Sequence, residues 1–251
     1  MKLTVLGSGT GIPSAARNAP GYLLEVSGHS FLIDCGSGIL RQLERAGRHF
    51  EELTGIFLTH THPDHIGDVV PLVHACRLPG VTRSRPLPIF GPTGIDHFFA
   101  TFVTPLTGLP SAFPLEIAAA AAEECLGPVR VVSAPTVHSD AMASLAYRFE
   151  AGGRAVVLSG DCDWDPGIVN LAEGADLVVL DCSTLAAGKV RGHLSAEECG
   201  RVGAAAGAKR LLLSHLYPVA ADDADEARLQ ECRTLFAGDI AIARDFQEIE
   251  I

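Results

Sequence analysis

Four short apolar runs that end abruptly in polar residues limit what this chain can fold into more than any other feature. They span residues 56–58, 155–158, 177–180 and 211–213, and a histidine or aspartate follows each of them within three residues. Such runs are typical of buried β-strands. Open α/β sheets place their sites at the carboxyl ends of their strands. The pattern therefore predicts an α/β fold in which four strands bring His and Asp side chains to one rim.

The rest of the chain fits the same fold class. Short apolar runs separated by glycine turns predict an antiparallel opening meander over residues 3–6, 22–26 and 31–33. Helical spacing follows at residues 39–46, and a second helix is expected at residues 66–76. No linker-like or low-complexity segment divides the sequence, so we expect residues 1–251 to form a single domain.

Composition and charge exclude several classes of protein. The formal net charge of −11 disfavours a general nucleic-acid binder, which needs lysines and arginines to neutralise phosphates. The seven cysteines form no CxxC pair, which favours buried free thiols in a reducing compartment. The first residues lack the features of a signal peptide, and no apolar stretch approaches membrane-spanning length. We therefore expect a cytoplasmic protein without a membrane partner.

The strongest chemical signal is the segment at residues 59–68, Thr-His-Thr-His-Pro-Asp-His-Ile-Gly-Asp. In an extended segment, side chains two residues apart share a face, so His60 and His62 are able to bind one metal ion. Asp64 and His65 follow where the chain turns into a helix, and they are placed to serve a second ion. Imidazole and carboxylate ligands suit zinc, with manganese or iron as alternatives. A histidine-rich surface loop is the competing interpretation, and the dense spacing after a buried strand argues against it.

The same segment resembles the HxHxDH signature of the metallo-β-lactamase superfamily. The resemblance implies a four-layer αββα sandwich with its site at the edge of the two sheets. It also implies that His138 completes the first metal site with His60 and His62. Asp161 would then bridge both ions, and His215 would join Asp64 and His65 on the second ion.

Further segments are similar to the ribonuclease Z branch of that superfamily. They are the glycine turn at residues 7–11, the Phe-Gly-Pro-Thr-Gly sequence at 90–94, and the Gly-His-Leu-Ser-Ala-Glu-Glu sequence at 192–198. In that branch the histidine that matches His193 lies near the reaction centre. The resemblance therefore implies that His193 donates a proton to the leaving oxygen, with Asp64 nearby as the second catalytic residue.

Two departures separate this chain from ribonuclease Z itself. That enzyme holds transfer RNA with an extended arm between the third histidine and the bridging aspartate. Here only residues 139–160 lie in that interval, which is enough for two strands and a turn. The His-Glu-Ala-Thr segment of the branch is replaced by Asp-Cys-Ser-Thr at residues 181–184, which puts its proton-relay geometry in doubt. We therefore do not expect transfer RNA as a partner.

The expected mechanism follows from two zinc ions and the water held between them. The ions lower the pKa of that water, so hydroxide is available near neutral pH. Two divalent ions, two carboxylates (Asp64 and Asp161) and one hydroxide leave about one positive charge. A phosphodiester carries one negative charge and would be attracted there. The sequence thus favours hydrolysis of a phosphodiester in a small, anionic substrate.

Three alternatives stay open at this point. The same site would serve a hydrolase of a lactone, thioester, β-lactam or sulfate ester, since fold does not determine the substrate. A di-iron redox protein is disfavoured, because that branch has a glutamate in place of His62 and usually carries a flavin domain. A non-catalytic binding protein stabilised by metal is the third alternative.

The substrate pocket is the least readable part of the sequence. We expect residues 9–17, 78–85 and 104–113 to line it. Arg17, Arg77, Arg83 and Arg85 could meet an anionic substrate there, but solvated surface arginines better explain most of them. Asp34 ends a strand and either orients a metal-bound histidine or serves a plain turn. A homodimer agrees with the resemblance, and no sequence feature demonstrates one.

Overall fold

Two seven-stranded mixed sheets form the centre of the computed structural model, which describes residues 1–218 and 224–251. The strands of the first sheet are β1 (Lys2–Gly7), β2 (Gly21–Val26), β3 (His29–Ile33), β4 (Gly55–Phe57), β5 (Leu87–Gly91), β6 (Leu115–Ala119) and β14 (Glu248–Glu250). Those of the second are β7 (Glu123–Leu126), β8 (Val129–Pro135), β9 (Leu145–Ala151), β10 (Arg154–Leu158), β11 (Leu177–Asp181), β12 (Arg210–Ser214) and β13 (Asp239–Ile242).

The helices cover the outer faces of the two sheets. Those named here are α1 (Ile39–Arg45), α2 (Pro63–Ile66), α3 (Val69–Ala75), α4 (Ile95–Phe98), α5 (Thr104–Thr107), α6 (Pro166–Leu171), α7 (Ala196–Ala206) and α8 (Ala224–Arg233). A π-helical segment, Phe99–Val103, joins α4 to α5. Short 3-10 turns occur at Phe50–Glu52 and Ala186–Gly188.

The two sheets are built alike. The first has the order β14-β1-β2-β3-β4-β5-β6, antiparallel up to β3 and parallel from β3 to β6. The second has the order β13-β12-β11-β10-β9-β8-β7, antiparallel from β7 to β10 and parallel from β10 to β13. In each sheet the parallel strands therefore point their carboxyl ends toward a common edge.

Three apolar clusters show the four layers. Residues of α1 and α3 pack on the first sheet, and residues of α6 and α7 pack on the second. Between the sheets, Phe31 and Phe57 of the first sheet pack with Tyr147 and Phe149 of the second. The ring centroid of Phe57 lies 5.1–6.0 Å from those of Phe149, Tyr147 and Phe31. Each fully buried aromatic side chain contributes roughly 1.5–3 kcal/mol. The predicted α/β architecture, a four-layer αββα sandwich, is confirmed.

The predicted elements are present, with one change in their arrangement. The opening meander forms β1 to β3, and the four apolar runs become β4, β10, β11 and β12. These four strands do not share one sheet, because β4 belongs to the first and the other three belong to the second. Their carboxyl ends nevertheless meet, since the sheets stack face to face.

The helix predicted at residues 66–76 is divided into α2 and α3. The break lies at Gly67 and Asp68, where the backbone N–H of Asp68 donates to the Cys35 carbonyl at 2.9 Å instead of continuing the helix. Gly67 packs so closely against Ser37 that a side chain would collide with it. The close approach of the loop after β3 therefore interrupts the helix.

The interval between His138 and Asp161 holds β9, a glycine turn and β10, so it carries no extended arm. Six of the seven cysteines are buried, as expected, and Cys125 is exposed. Within the described residues, none of the helices is long and apolar enough to cross a membrane.

Candidate metal centre

The loop that follows β4 places the first pair of histidines. The Nε2 atom of His60 lies 2.9 Å from the Nδ1 atom of His62, so the two rings aim their nitrogens at a common point. His60 is fully buried, and Thr59 Oγ1 contacts its other nitrogen at 3.0 Å. The spacing of two residues thus produces the shared face that the sequence predicts.

His138 joins this pair from the loop after β8. Its Nε2 atom lies 3.1 Å from His62 Nδ1, and its Nδ1 atom donates to the Gly192 carbonyl at 2.8 Å. Gly192 has a φ of +86° and sits so close to the backbone of His138 that a Cβ would collide with it. The glycine therefore belongs to the support of the site, because only glycine fits both the conformation and the space.

Asp161 lies between two groups of histidines. Its Oδ2 atom is 3.7 Å from His60 Nε2 and 3.8 Å from His138 Nε2. Its Oδ1 atom is 3.2 Å from His65 Nε2 and 3.3 Å from His215 Nε2. Each oxygen of this buried carboxylate thus faces a different set of imidazoles.

The second group combines imidazole and carboxylate. Asp64 Oδ2 lies 3.7 Å from His65 Nε2 and 3.4 Å from His215 Nε2. His215 follows β12 with a φ of +53°, a conformation that is uncommon for residues other than glycine. Such strain is found where surrounding structure imposes it, often at functional sites.

Asp34 supports the second group from outside. It also has a positive φ, +58°, and its Oδ2 atom accepts a hydrogen bond from His65 Nδ1 at 2.7 Å. Its Oδ1 atom accepts from the backbone N–H of Thr59 at 2.8 Å. Asp34 therefore orients His65 and ties the end of β3 to the end of β4.

The strand pattern places Asp181 at the rim, but sequence reasoning missed its role in the site. Asp181 ends β11, and its Oδ2 atom accepts a hydrogen bond from His193 Nδ1 at 2.8 Å. Its Oδ1 atom accepts from Ser183 Oγ at 2.6 Å and lies 3.5 Å from His215 Nδ1. The available signal was its position, because an aspartate directly after a buried strand matches the pattern that marks Asp161.

The donor atoms fit divalent metal ions. With zinc–nitrogen bonds of about 2.0–2.1 Å and tetrahedral geometry, two nitrogen ligands of zinc lie about 3.3 Å apart. The closest donor pairs within both groups lie 2.9–3.8 Å apart, which brackets that value. In the part of the chain that the structure describes, His65 Nε2 and Asp161 Oδ1 are buried and have no hydrogen-bond partner, although buried polar atoms almost always have one. A metal ion would satisfy both atoms.

Charge supports the same conclusion. Four carboxylates, those of Asp34, Asp64, Asp161 and Asp181, lie in or against the cluster, and all but Asp64 are buried. Within residues 1–218 and 224–251, none of the four forms an ion pair with a lysine or arginine. Buried charges are normally paired or bound to metal. The cluster is therefore able to bind metal and is short of positive charge without it.

The two halves of the cluster differ in the pKa values of their histidines. Burial, with help from the neighbouring His65, lowers the pKa of His60 well below its ordinary value. Burial also lowers the pKa of His62. At His65, burial is outweighed by Asp161 and Asp34, which raise the pKa to about 10.

Neighbouring charges also set the pKa values of His215 and Asp161. Burial disfavours the charged form of His215, but Asp161 and Asp181 outweigh it and raise the pKa well above the ordinary value. Burial likewise opposes ionisation of Asp161, yet His215 and His65 hold its pKa well below the usual range. Without metal, protons thus supply the positive charge that the second group requires.

Comparison with known proteins agrees with this geometry. A family model described as a beta-lactamase superfamily domain matches residues 29–216. The chain belongs to this superfamily. The match includes all the histidines and aspartates of the two groups.

Relatives of similar length support the assignment. A probable metallo-hydrolase of Bacillus subtilis, YhfI, is 31% identical over 97% of each chain. The crystal structure of YhfI, described as a metallo-beta-lactamase fold protein, covers 99% of this chain and 98% of its own, with a TM-score of 0.84 and 28% identity. Ribonuclease Z of Mycolicibacterium paratuberculosis is 29% identical over 100% of this chain and 98% of its own.

The short form of human tRNase Z shares the fold, with a TM-score of 0.80 and 24% identity over 100% of this chain and 99% of its own. The alignment with the mycobacterial ribonuclease Z spans 275 positions, more than the 251 residues of this chain. That relative therefore has segments without a counterpart here. Together, these comparisons make the protein a metal-dependent hydrolase of the metallo-β-lactamase fold.

Two of the expected arginines lie away from this centre. Arg83 is buried and donates to the carbonyls of Glu51 and Leu53, which precede β4, whereas His60 follows it. Arg85 donates to the Glu52 carbonyl in the same region. The prediction that Arg83 and Arg85 could meet the substrate was wrong, because their side chains cap backbone carbonyls at the opposite end of the strand.

The loop at residues 9–17 does border the centre. A cavity of about 450 Å³ is lined by Thr10, Ile12, Arg17 and Asp64 among others. Asp64 is therefore the member of the second group that faces open space. Of the expected lining segments, this loop borders the cavity beside the metal centre, and its contact with a substrate stays a prediction.

Proposed function

We propose that this hydrolase uses two zinc ions to cleave phosphodiesters. The main observation in support of this proposal is that the two oxygens of Asp161 face two separate groups of donors. Asp161 would contribute a ligand to each ion. His60, His62 and His138 would hold the first ion, and Asp64, His65 and His215 would hold the second.

The ions would supply Lewis acidity toward the phosphoryl oxygens and lower the pKa of a water molecule between them. The protein's own contribution is to hold the donors in place. Asp34 keeps the proton on His65 Nδ1, which leaves Nε2 available as a ligand. The Gly192 carbonyl does the same for His138. Neutral imidazole and carboxylate donors favour zinc over calcium or magnesium.

His193 is the proposed proton donor to the leaving oxygen. Its Nδ1 atom donates to Asp181, so its other nitrogen is available to carry a proton toward the substrate. Burial opposes protonation of His193, but the hydrogen bond to Asp181 outweighs it and raises the pKa. The carboxylate lost from the His-Glu-Ala-Thr segment is thus replaced by Asp181. Asp64, ionised and facing the cavity, is the second proposed catalytic residue.

Two observations support a small phosphodiester as substrate. The relatives named ribonuclease Z indicate phosphodiester chemistry on this fold. The cations near His193 are already paired: Lys189 with Asp163 at 2.6 Å, and Arg191 with Asp140 at 2.9 Å. These cations offer little additional attraction to a polyanion. The proposal therefore favours a small substrate over transfer RNA.

The test is an assay of the zinc-loaded protein against bis(p-nitrophenyl) phosphate, with Asp161→Ala as the inactive variant. We expect turnover that falls by more than about 100-fold in the variant, the upper end of the loss caused by residues that merely support a ligand. Asp140→Ala is the matched control. Its carboxylate is exposed on the loop after His138, so the rate should stay within about twofold.

A different result would redirect the proposal. If the wild-type protein binds two zinc ions per chain yet leaves the diester intact, phosphodiester hydrolysis is contradicted. The same donors would then be assayed against a lactone, a thioester, a β-lactam and a sulfate ester, since metal ions polarise a carbonyl equally well. Equal rates in the wild type and Asp161→Ala would contradict the bridging role of Asp161.

A further inference from the structure

Arg228 on α8 is buried, and only some of its N–H groups have hydrogen-bond partners. Its side chain is 2% exposed, and its Nη2 atom donates to the carbonyls of Ser183 at 2.9 Å and Tyr217 at 2.8 Å. Its Nε atom is buried and has no hydrogen-bond partner among residues 1–218 and 224–251. Since guanidinium carries five N–H donors, Arg228 uses only part of its capacity on the protein.

Among the described residues, Asp225 is the carboxylate that pairs with this arginine, and it is shared. Its Oδ1 atom lies 3.8 Å from Arg228 Nη1, while its Oδ2 atom accepts from Arg17 Nη2 at 2.8 Å. Two guanidinium groups thus depend on one carboxylate that is 39% exposed. Burial lowers the pKa of Arg228, and the neighbouring Arg17 lowers it further.

A cavity adjoins these groups. It has a volume of about 170 Å³ and is lined by Arg17, Asp225, Arg228, Thr10 and Tyr217 among others. The larger cavity beside the metal centre shares Thr10 and Arg17 with it and reaches Asp64.

The pocket is also close to the proposed proton donor. The ring of Tyr217 lies 5.6 Å from that of His193 and 5.7 Å from that of His215. The arginine pocket thus adjoins both the cavity that reaches Asp64 and the two histidines.

We infer that Arg17 and Arg228 form a subsite for a second oxyanion group of the substrate. The inference rests on the proposed function, since it places one phosphodiester at the metal centre and the second anion in this pocket. Arginine is suited to this task because its fork of N–H groups matches phosphate and carboxylate oxygens. Among the described residues, one carboxylate faces the two guanidinium groups, and the cavity of about 170 Å³ favours a compact anion.

The first experiment compares two matched substrates, p-nitrophenyl thymidine 5′-phosphate with and without a 3′-phosphate. The zinc-loaded wild type should have a KM at least about tenfold lower for the phosphorylated substrate. Arg17→Met should remove most of that preference. The KM for the phosphorylated substrate, divided by the KM for the unphosphorylated one, should rise toward one.

The decisive variant is Asp225→Asn. It removes the carboxylate that competes with the ligand, so we expect the preference for the 3′-phosphorylated substrate to increase about threefold or more. Damage to the fold would weaken binding and could not produce this gain. Glu226→Gln is the matched control, because Glu226 is exposed on the same helix and its change should leave both KM values unaltered.

Calorimetry separates this inference from the proposed function. Thymidine 3′,5′-bisphosphate and thymidine 5′-monophosphate are titrated into the zinc-loaded protein, which requires no turnover. Tighter binding of the bisphosphate, increased further by Asp225→Asn, would support the subsite even if neither diester is cleaved. Equal affinity for the two nucleotides, or an Asp225→Asn variant without effect on their ratio, would overturn it.

Discussion

Charged side chains are buried at both ends of the parallel strands, but they are satisfied differently. At the amino end of β4, each nitrogen of the buried Arg83 guanidinium donates to a backbone carbonyl, at 2.5–3.0 Å. At the amino end of β11, Asp176 accepts from the Ala155 N–H at 2.9 Å and from Arg154 and Lys209. These groups are complete within the protein.

The carboxyl ends present the opposite situation. His65 Nε2 and Asp161 Oδ1 are buried without partners, and carboxylates outnumber the fixed positive charges around them. A buried polar group that is fully hydrogen-bonded stabilises the fold, whereas one that lacks a partner costs free energy until a ligand arrives. The contrast therefore distinguishes structural charges from functional ones in the same sheet.

Metal removal should have the largest effect, and it should act at the carboxyl ends alone. We expect a chelator to abolish diester hydrolysis and lower the melting temperature, with both restored by zinc. At free zinc 1,000 times its Kd, binding stabilises the native state by about 4 kcal/mol. Calorimetric melting with and without chelator measures this. A metal-free protein that melts at the same temperature would contradict the assignment.

Arg83→Met should have the next largest effect, and on stability rather than on catalysis. The change leaves buried carbonyls without donors, so the free energy of unfolding should fall by about 3 kcal/mol. Urea denaturation measures the loss, and kcat/KM of the folded protein should stay within about twofold. Arg85→Met is the control, since this exposed residue should change stability by no more than about 0.5 kcal/mol. A large loss of activity in folded Arg83→Met would contradict the assignment of Arg83 as a purely structural charge.

Asp34→Asn should have an intermediate effect on the metal centre. The amide can still accept from Thr59, but its NH2 group would face His65 and favour the tautomer whose Nε2 carries the proton. Loss of such a supporting partner typically lowers metal affinity or activity 10–100-fold. Zinc titration with a competing chelator tests this, and Asp68→Asn, at a carboxylate that accepts from the Leu40 N–H, should leave zinc affinity unchanged.

Asp176→Asn should have the smallest effect, a loss of stability that is present near neutral pH and disappears in acid. Burial opposes ionisation of Asp176, but Lys209, Ala155 and Arg154 outweigh it and lower its pKa to about 2. A lowered pKa gives stability that is present above the unfolded value of about 3.9 and lost as pH falls toward 2. The wild type should therefore lose about 1–2 kcal/mol more than the variant over this interval. Parallel acid dependence in both proteins would refute the role of Asp176.

Much of the metal centre could be predicted from local sequence. The spacing of His60, His62, Asp64 and His65 after a strand determines which side chains share a face, because backbone geometry sets that period. The other ligands were located by resemblance and by their places after strands. Asp181 was missed, since a strand-ending aspartate gains a role only from its neighbours. The break between α2 and α3 was missed for a similar reason, as it depends on contact with the loop after β3.

The sequence by itself determined the strands, the helices and the short loop that carries four metal-binding side chains, because these depend on residues close together in the chain. Only the tertiary structure decided which charges are satisfied. The sequence around Arg83 and Arg228 does not reveal which of the two side chains is satisfied. Backbone carbonyls enclose Arg83, whereas Arg228 lines a cavity and has a nitrogen without a partner among the described residues. Their partners lie up to 45 residues away, and the packing of loops and helices on the sheets brings them together.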